Sequence, residues 1–195
     1  MVEVYDNFVS PEYFNQLQNY VTGPYQQWYY QSNIDSPGRT NQGFGKHGFD
    51  CCIVRYPNTF TDCYVSGMLS TLVMNTKKIV GCDNILRSRL DLTLHKYGDP
   101  AASPHVDTSK PHIASIFYFN NSDGNTVIYN EKYDGEDGIY STESIRRSGI
   151  TNKLTIKKKI KPKENRLLIF DGLLIHKGHH PSKHNTRILL NSNFN

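Results

Sequence analysis

Several features are missing from this sequence, and each absence removes a class of protein. The four cysteines include no C-x-x-C pair, which is the spacing typical of zinc and thiol redox sites. We therefore expect Cys51, Cys52, Cys63 and Cys82 to be reduced structural thiols, as in a cytoplasmic protein. No apolar stretch approaches the roughly 18 residues of a membrane span, so the sequence predicts neither a membrane helix nor a signal peptide.

A strong charge of one sign is also missing. The formal net charge is +4, and the basic residues concentrate only in the run KKKIKPK at 157–163. Surfaces that bind nucleic acid interleave basic residues with aromatic ones, whereas only isoleucine and proline interrupt these lysines. We interpret the run as the solvated edge of a strand, and nucleic acid is disfavoured as a partner.

The hydrophobic pattern lacks internal repeats and the regular strand and helix alternation of a parallel sheet. Ser10 and Pro11 predict the start of one helix, which Gly23 ends. Apolar residues at helical spacing, methionines included, predict a second helix over 61–80. Beyond it the chain shows short β runs separated by turns, at 87–97, 113–120, 126–129, 153–161, 166–170 and 187–194.

This order of elements predicts a mainly β protein with an antiparallel barrel or jelly-roll core and N-terminal packing helices. The 195 residues suffice for a single domain, with supporting strands and helices over 1–84 and the core over 85–195. The glycine-rich segment 36–48 is either a lid or a plain surface loop. Residues 133–149 are interpreted as an insertion between two strands.

Two short motifs suggest a metal site. In an extended strand residues i and i+2 point to the same face, so His105 and Asp107 would present an imidazole and a carboxylate together. His176 ends a later apolar run, and Arg187 follows it by eleven residues. Two histidines and one carboxylate are the ligands of the facial triad of non-haem Fe(II) oxygenases. The six other histidines are interpreted as surface or packing residues, at positions 47, 95, 112, 179, 180 and 184.

With these residues the chain resembles the 2-oxoglutarate- and Fe(II)-dependent dioxygenases of the prolyl-4-hydroxylase-like superfamily, and most closely the short stand-alone enzymes of bacteria and their viruses. The resemblance covers residues 87–195 and extends to the opening segment DNFVS at 6–10. It implies a double-stranded β-helix core. It also implies a location in the cytoplasm of a bacterium or of an infected host cell.

The same resemblance implies roles for individual residues. His105, Asp107 and His176 match the iron ligands, and Arg187 matches the basic residue that receives the distal carboxylate of 2-oxoglutarate. Tyr97 matches a tyrosine that lines the cosubstrate pocket. For Tyr118 and Thr126 two roles stay open, which are contact with 2-oxoglutarate and packing in the core. The GNT segment at 124–126 stands where the family often carries a glycine pair, and NRLLIF at 165–170 matches the strand that leads to the distal histidine.

Two positions depart from the family pattern. Leu189 stands where a serine that assists the cosubstrate carboxylate is frequent, and Asn193 stands where an aromatic residue is common, with Phe194 beside it. Neither change removes a metal ligand. Both changes leave undecided which side chains form the wall of the cosubstrate pocket.

The activity implied is hydroxylation of an unactivated C–H bond, with 2-oxoglutarate converted to succinate and CO2. The implied cofactors are Fe(II), 2-oxoglutarate and O2, and ascorbate is admitted as a further reductant. The implied substrate is a peptidyl proline or a related amino-acid residue, in a protein, a peptide or a small amino-acid-like molecule. The alternatives are a catalytically idle jelly-roll module that binds a metal or small acid, and a nucleic-acid-oxidising dioxygenase. The sequence gives no indication of oligomeric state.

Overall fold

The computed structural model describes residues 1–32, 34, 47–96, 104–133 and 153–195. Within them two helices and eleven strands follow one another in the order β1 (Val2–Asp6), α1 (Pro11–Val21), β2 (Tyr29–Gln31), β3 (Gly48–Arg55), β4 (Thr59–Phe60), α2 (Tyr64–Val80), β5 (Ile85–Leu94), β6 (Ile113–Tyr118), β7 (Thr126–Lys132), β8 (Ile156–Ile160), β9 (Arg166–Asp171), β10 (Leu174–Gly178) and β11 (Thr186–Phe194).

The strands form two antiparallel sheets. The large sheet has the order β1-β9-β6-β11-β5-β3-β2, with β4 paired to β3, and the small sheet has the order β10-β7-β8. Strand β11 lies between β5 and β6, so side chains on its inner face are surrounded by neighbours from both. The expected antiparallel core is confirmed by this pairing.

Two apolar cores hold these layers together. The first lies between the helices and one face of the large sheet, where Leu17, Leu69 and Leu90 are buried with Phe117. The second lies between the two sheets and contains Tyr118, together with Ile128, Phe170, Leu174 and Leu189. Adjacent Phe117 and Tyr118 thus enter different cores, because successive side chains of a strand point to opposite faces.

Both predicted helices are present. Ser10 caps α1 by accepting a hydrogen bond of 3.3 Å from the backbone N–H of Tyr13, and Pro11 occupies the first turn. Helix α2 ends at Gly81, whose φ of 66° lies in the left-handed region that glycine adopts without steric cost.

The buried face of α2 is narrower than the apolar pattern predicted. Val65, Leu69, Leu72 and Val73 are buried as expected, but Tyr64, Met74 and Ile79 are exposed. Tyr64 and Met74 each follow or precede a buried position by one residue, which turns them about 100° away from the core. The expectation that the methionines lie on the core face is therefore wrong for Met74.

The strand predictions need two corrections. Strand β3 was not predicted, although it pairs with β5 over most of its length. The apolar run that ends in His176 is two strands, because it turns at Gly172 between β9 and β10. The carboxylate of Asp171 accepts a hydrogen bond from the Leu173 N–H at 3.0 Å, which stabilises this turn. The chain passes there from the large sheet to the small one.

The structure also bears on the predictions for the cysteines, the basic run and membrane helices, whereas three other predicted features lie outside the described residues. All four cysteines are free thiols, and the lysines of β8 lie on an outer strand of the small sheet, as predicted. Neither helix in the described part of the chain combines the length and apolar character needed to span a membrane. Tyr97, most of the proposed lid at 36–48 and the proposed insertion beyond Tyr133 lie outside the described residues.

Candidate metal centre

A backbone bridge joins two of the three predicted ligands, His105 and His176. His105 and His176 exchange two backbone hydrogen bonds of 2.9 Å each, and His176 belongs to β10. His105 lies in an isolated bridge rather than in a strand, which corrects the expected extended strand. The local geometry is nevertheless extended enough for the predicted alternation, because Val106 points away and packs in a separate cluster with Ile175.

The ligand atoms of His105, Asp107 and His176 all lie within 4.8 Å of one another. The distance from His105 Nε2 to Asp107 Oδ1 is 3.8 Å, and the two imidazole rings have centroids 4.7 Å apart. The fold thus holds two imidazole rings and one carboxylate close together. One cation at that point could contact all three.

The ring of His176 is oriented by the backbone. Its Nδ1 lies 3.0 Å from the carbonyl oxygen of Leu174, and since a carbonyl only accepts, Nδ1 carries the hydrogen and Nε2 keeps its lone pair. Burial, followed by the proximity of His105, lowers the pKa of His176 from 6.5 to about 4. The ring is therefore neutral at physiological pH, which is the form that binds a metal.

The carboxylate of Asp107 is held from two directions. Arg87 Nη2 lies 3.4 Å from Oδ1, and Asn191 Nδ2 donates a hydrogen bond to Oδ2 at 3.3 Å. Burial alone would raise the pKa of Asp107, but the Arg87 guanidinium and the neighbouring rings of His176 and His105 outweigh it and hold the pKa well below the ordinary value. Asp107 is an anion at neutral pH.

Arg187 occupies the other end of the pocket and is buried. Its Nη2 donates a hydrogen bond of 2.8 Å to Thr126 Oγ1, and that hydroxyl lies 2.6 Å from the hydroxyl of Tyr118. The guanidinium carbon lies 5.9 Å from the centroid of the Tyr118 ring. Arg187, Thr126 and Tyr118 therefore form one connected polar group, as a carboxylate site requires.

Glycine makes room for Arg187. A Cβ atom placed on Gly124 would lie 2.5 Å from the carbonyl oxygen of His179 and 2.9 Å from Arg187 Cδ. Both distances are shorter than van der Waals contact allows. Gly124 is thus required by the close approach of β11 and the loop that precedes it, which explains the glycine of the GNT segment.

One pocket contains the cluster together with Thr126 and Arg187. Tyr118 is not among the lining residues and packs in the core behind Thr126. The pocket walls also include Leu189, His179 and His180. The other lining residues were not predicted, and they are Ile34, Arg87, Arg89, Asp91, Thr93, Ile116, Gly178 and Asn191. Many of these could have been found from the strand alternation, because Arg87, Arg89, Asp91 and Thr93 stand at every second position of β5. The pairing of β5 with β11 was needed to place them opposite Arg187 and Asn191.

Among the described residues, the other histidines do not belong to the cluster. His179 and His180 line the pocket, and His180 Nδ1 lies 3.2 Å from the carbonyl oxygen of Leu94. His112 is buried and packs closely over Gly172. The β8 lysines are not among the pocket residues, so the basic run takes no part in the described site.

The donor set fits Fe(II). Two imidazole nitrogens and one carboxylate oxygen, converging from one side, are the ligands that leave further positions of an iron ion open to cosubstrate. The buried Arg187 fork fits the remote carboxylate of a short diacid. Both groups lie in one pocket, as a metal and a diacid bound side by side would require.

Comparison with known families gives the same assignment. A family model described as the 2OG-Fe(II) oxygenase superfamily matches residues 92–195. This segment includes His105, Asp107, His176 and Arg187. A search among curated proteins finds no sequence match.

Solved structures are similar in fold at low sequence identity. A prolyl hydroxylase from Trichoplax adhaerens, in complex with an oxygen degradation domain peptide fragment of hypoxia inducible factor, has a TM-score of 0.66 and 12% identity, with 99% of this chain and 82% of that chain covered. A prolyl-4-hydroxylase from Pseudomonas putida has a TM-score of 0.56 and 10% identity, covering 99% and 91%. The non-heme alpha-ketoglutarate-dependent epimerase SnoN of nogalamycin biosynthesis has a TM-score of 0.61 and 7% identity, covering 100% and 77%. The predicted double-stranded β-helix is confirmed by these neighbours and by the two facing sheets.

Proposed function

Because this chain belongs to the 2OG-Fe(II) oxygenase superfamily, whose family model matches more than half of it, we propose that it hydroxylates an unactivated carbon of a peptidyl proline or a related amino-acid residue. The chain is a 2-oxoglutarate-dependent oxygenase, and its cofactors are Fe(II), 2-oxoglutarate and O2. The identity of the substrate and the individual roles of the residues are the parts that we propose.

The convergence of His105, Asp107 and His176 within 4.8 Å carries the proposal. We assign these three residues as the Fe(II) ligands, through Nε2 of His176, the Asp107 carboxylate and the His105 ring. The low pKa of His176 and the anionic Asp107 mean that no proton has to leave either group before metal binds at neutral pH.

We assign Arg187 as the residue that binds the distal carboxylate of 2-oxoglutarate, with Thr126 and Tyr118 completing the site. The guanidinium offers two parallel donors to a carboxylate, and its burial strengthens that interaction because water is excluded. Arg187 has no redox role. It positions the cosubstrate so that the other end of the molecule reaches the metal ligands.

Fe(II), when bound, supplies the activation of O2 that couples oxidative decarboxylation of 2-oxoglutarate to hydroxylation of a C–H bond. The residues of the chain supply the rest. Leu174 fixes the His176 ring through its carbonyl oxygen, and Asn191 fixes the Asp107 carboxylate. Because His176 and Arg187 are buried, water does not compete for the His176 lone pair or for the N–H donors of Arg187.

The prolyl hydroxylase neighbours, one of which was solved with a peptide, support a peptide-like substrate. The epimerase neighbour shows that the same fold serves other substrates, so the fold alone does not select proline. We also propose that residues 1–195 act as one domain, because β1 and β3 pair with strands of the core.

An anaerobic titration of the Fe(II) protein with 2-oxoglutarate tests the cofactor assignment. We expect a visible metal-to-ligand charge-transfer band, which His105→Ala should abolish together with the turnover of 2-oxoglutarate to succinate. Incubation with proline-containing peptides should then give products heavier by one oxygen atom. A normal band in His105→Ala would show that the ligand assignment is wrong, and a band without hydroxylated proline in any peptide would restrict the error to the substrate.

A further inference from the structure

The inner face of β11 carries a row of side chains that continues beyond the cosubstrate site. Arg187, Leu189, Asn191 and Asn193 occupy alternate positions and therefore share one face. The residues opposite them on β5 are Thr93, Asp91, Arg89 and Arg87. Arg187 and Asn191 are about 13 Å apart along the strand at roughly 3.3 Å per residue. Asn191 and Arg87 contact Asp107, so they border the cluster at a different place from Arg187.

The orientation of the Asn191 amide is determined by its partner. An ionised carboxylate only accepts hydrogen bonds, so the group that lies 3.3 Å from Asp107 Oδ2 has to be the Asn191 NH2. This leaves Asn191 Oδ1 as an acceptor. That oxygen is buried and has no hydrogen-bond partner among the described residues.

Arg87 presents the complementary group. Its Nη2 makes a contact of 3.4 Å with Asp107, and its side chain is 35% exposed. Its Nε is buried and has no hydrogen-bond partner within the described ranges. Its cross-strand neighbour Asn193 also has a buried Oδ1 that finds no partner there. Buried polar groups are almost always paired in folded proteins, and Arg87 and Asn191 both line the pocket whereas Asn193 does not, so the unpaired Arg87 Nε and Asn191 Oδ1 point to a ligand in the pocket.

The neighbouring charges do not compete for that ligand. Arg89 pairs with both oxygens of the Asp91 carboxylate through Nε at 2.5 Å and Nη2 at 3.1 Å, and a second carboxylate, Asp50, lies 3.7 Å from Nη1. The contact between Arg89 Nε and Asp91 Oδ1 is an ion pair without hydrogen-bond alignment, but its two opposite charges already face each other. The positive charge of Arg87 is likewise opposed by Asp107, so the open donor and acceptor lie in a region with little net charge.

We propose that Arg87 and Asn191 form a substrate subsite that binds a neutral amide group, such as a peptide bond or a carboxamide. Arg87 donates to the amide oxygen, and Asn191 Oδ1 accepts from the amide N–H. The inference rests on the proposed function and deepens it, because it names the part of the substrate that is recognised beside the metal ligands. A substrate without an amide would leave the same polar atoms buried and unpaired.

The Fe(II) protein with bound 2-oxoglutarate can be titrated anaerobically with three probes, N-acetyl-L-prolinamide, N-acetyl-L-proline and N-acetylpyrrolidine. They carry a carboxamide, a carboxylate and neither group on the same N-acetylated ring. The N-acetyl amide that all three share is tertiary and has no N–H for Asn191 Oδ1 to accept, so only the carboxamide offers both the oxygen and the N–H. Binding is followed by the change of the charge-transfer band and by calorimetry. We expect the carboxamide to bind about tenfold more tightly than N-acetylpyrrolidine, the difference that one net hydrogen-bonded group typically gives.

Asn191→Leu and Arg87→Met should each remove most of this preference, and Arg87→Lys should restore part of it because an ammonium still donates. Ser192→Ala is the matched control, since Ser192 lies between Asn191 and Asn193 and bonds to Ser88 on the opposite face. Mn(II) affinity and the melting temperature of each variant separate loss of probe binding from damage to the metal site or the fold.

Equal affinities for the carboxamide and N-acetylpyrrolidine in the unsubstituted protein would overturn the proposal, as would no binding of the carboxamide. Tighter binding of the carboxylate would show a site for an anion instead. A preference that survives both Asn191→Leu and Arg87→Met would place the subsite elsewhere. The absence of a charge-transfer band before any probe is added would count against the proposed function itself, so the two failures are distinguishable.

Discussion

His105 and His176 are joined by two backbone hydrogen bonds of 2.9 Å, one in each direction. The pair fixes the relative position of two proposed metal ligands from distant parts of the chain. Leu174 then fixes the ring of His176 through its carbonyl oxygen. Much of the free-energy cost of ordering these side chains is therefore incurred during folding. We expect them to be organised already in the metal-free protein.

Replacing a ligand should remove metal binding without unfolding the protein. We expect His176→Ala to lower Mn(II) affinity by more than the 10- to 100-fold that loss of an orienting neighbour typically costs, because a direct donor is lost. Calorimetric titration with Mn(II) measures this. His184→Gln is the control, since His184 lies outside the cluster and bonds to Asp123. Equal affinity in His176→Ala and the unsubstituted protein would contradict the assignment.

Arg187→Lys should weaken 2-oxoglutarate binding by roughly 10- to 100-fold, the range expected when a charge-assisted pair of hydrogen bonds is reduced to a point charge. Mn(II) affinity should change little, because Arg187 is bonded to Thr126 and not to the cluster. Titration of each ligand on the same variant checks both statements. Ile188→Val, one residue along β11, serves as control. A parallel loss of metal and 2-oxoglutarate would mean that Arg187 is misassigned.

Two glycine substitutions should have opposite effects on stability. Gly124→Ala brings a methyl group against the His179 carbonyl and Arg187 Cδ, and we expect a loss of about 1–3 kcal/mol in the free energy of unfolding with weaker 2-oxoglutarate binding. Gly67→Ala lies within α2 and meets nothing within 4 Å. It should stabilise the protein by about 0.5–1 kcal/mol.

Denaturant unfolding of both variants measures the two changes, and titration with 2-oxoglutarate shows whether Arg187 has moved. If Gly124→Ala bound 2-oxoglutarate normally and unfolded at the same denaturant concentration, the close packing around Arg187 would not be required.

The ion pair between β1 and β9 should make acid stability depend on Asp6. Arg166 binds both oxygens of Asp6, at 2.6 Å and 2.9 Å, and Lys163 Nζ lies 3.2 Å away. The hydrogen bond from Arg166 is the main cause that lowers the pKa of Asp6 to about 2. Because the folded-state pKa is depressed, the stabilisation is present above the ordinary value of 3.8 and is lost as the pH falls through about 2.

We therefore expect Asp6→Asn to unfold more easily than the unsubstituted protein at neutral pH and the difference to vanish near pH 2. The pair is partly exposed, so solvent screening limits the effect to about 1 kcal/mol or less. Urea unfolding at several pH values measures it, and added salt should reduce it. A difference that persisted unchanged at pH 2 would show that the ion pair is not its source.

Several parts of the site could be predicted because they depend on local pattern. The alternation of His105, Val106 and Asp107 is a property of extended backbone, and it holds although the segment forms only one bridge. Asp171 and Gly172 are typical turn residues, so the break between β9 and β10 had a signal that the long apolar run concealed. The narrow buried face of α2 could not be predicted from the sequence, because apolar residues also lie on both sides of that face.

The sequence by itself determined the family of this protein, and with it the reaction class and the cosubstrate, because His105, Asp107, His176 and Arg187 lie in the segment that the family model matches. Only the tertiary structure decided which neighbours act on them. The contacts of Asp107 with Arg87 and Asn191 arise because β11 lies between β5 and β6, and the register of strands far apart in the chain leaves no local signal. The unpaired Arg87 Nε and Asn191 Oδ1 beside the cluster follow from that register.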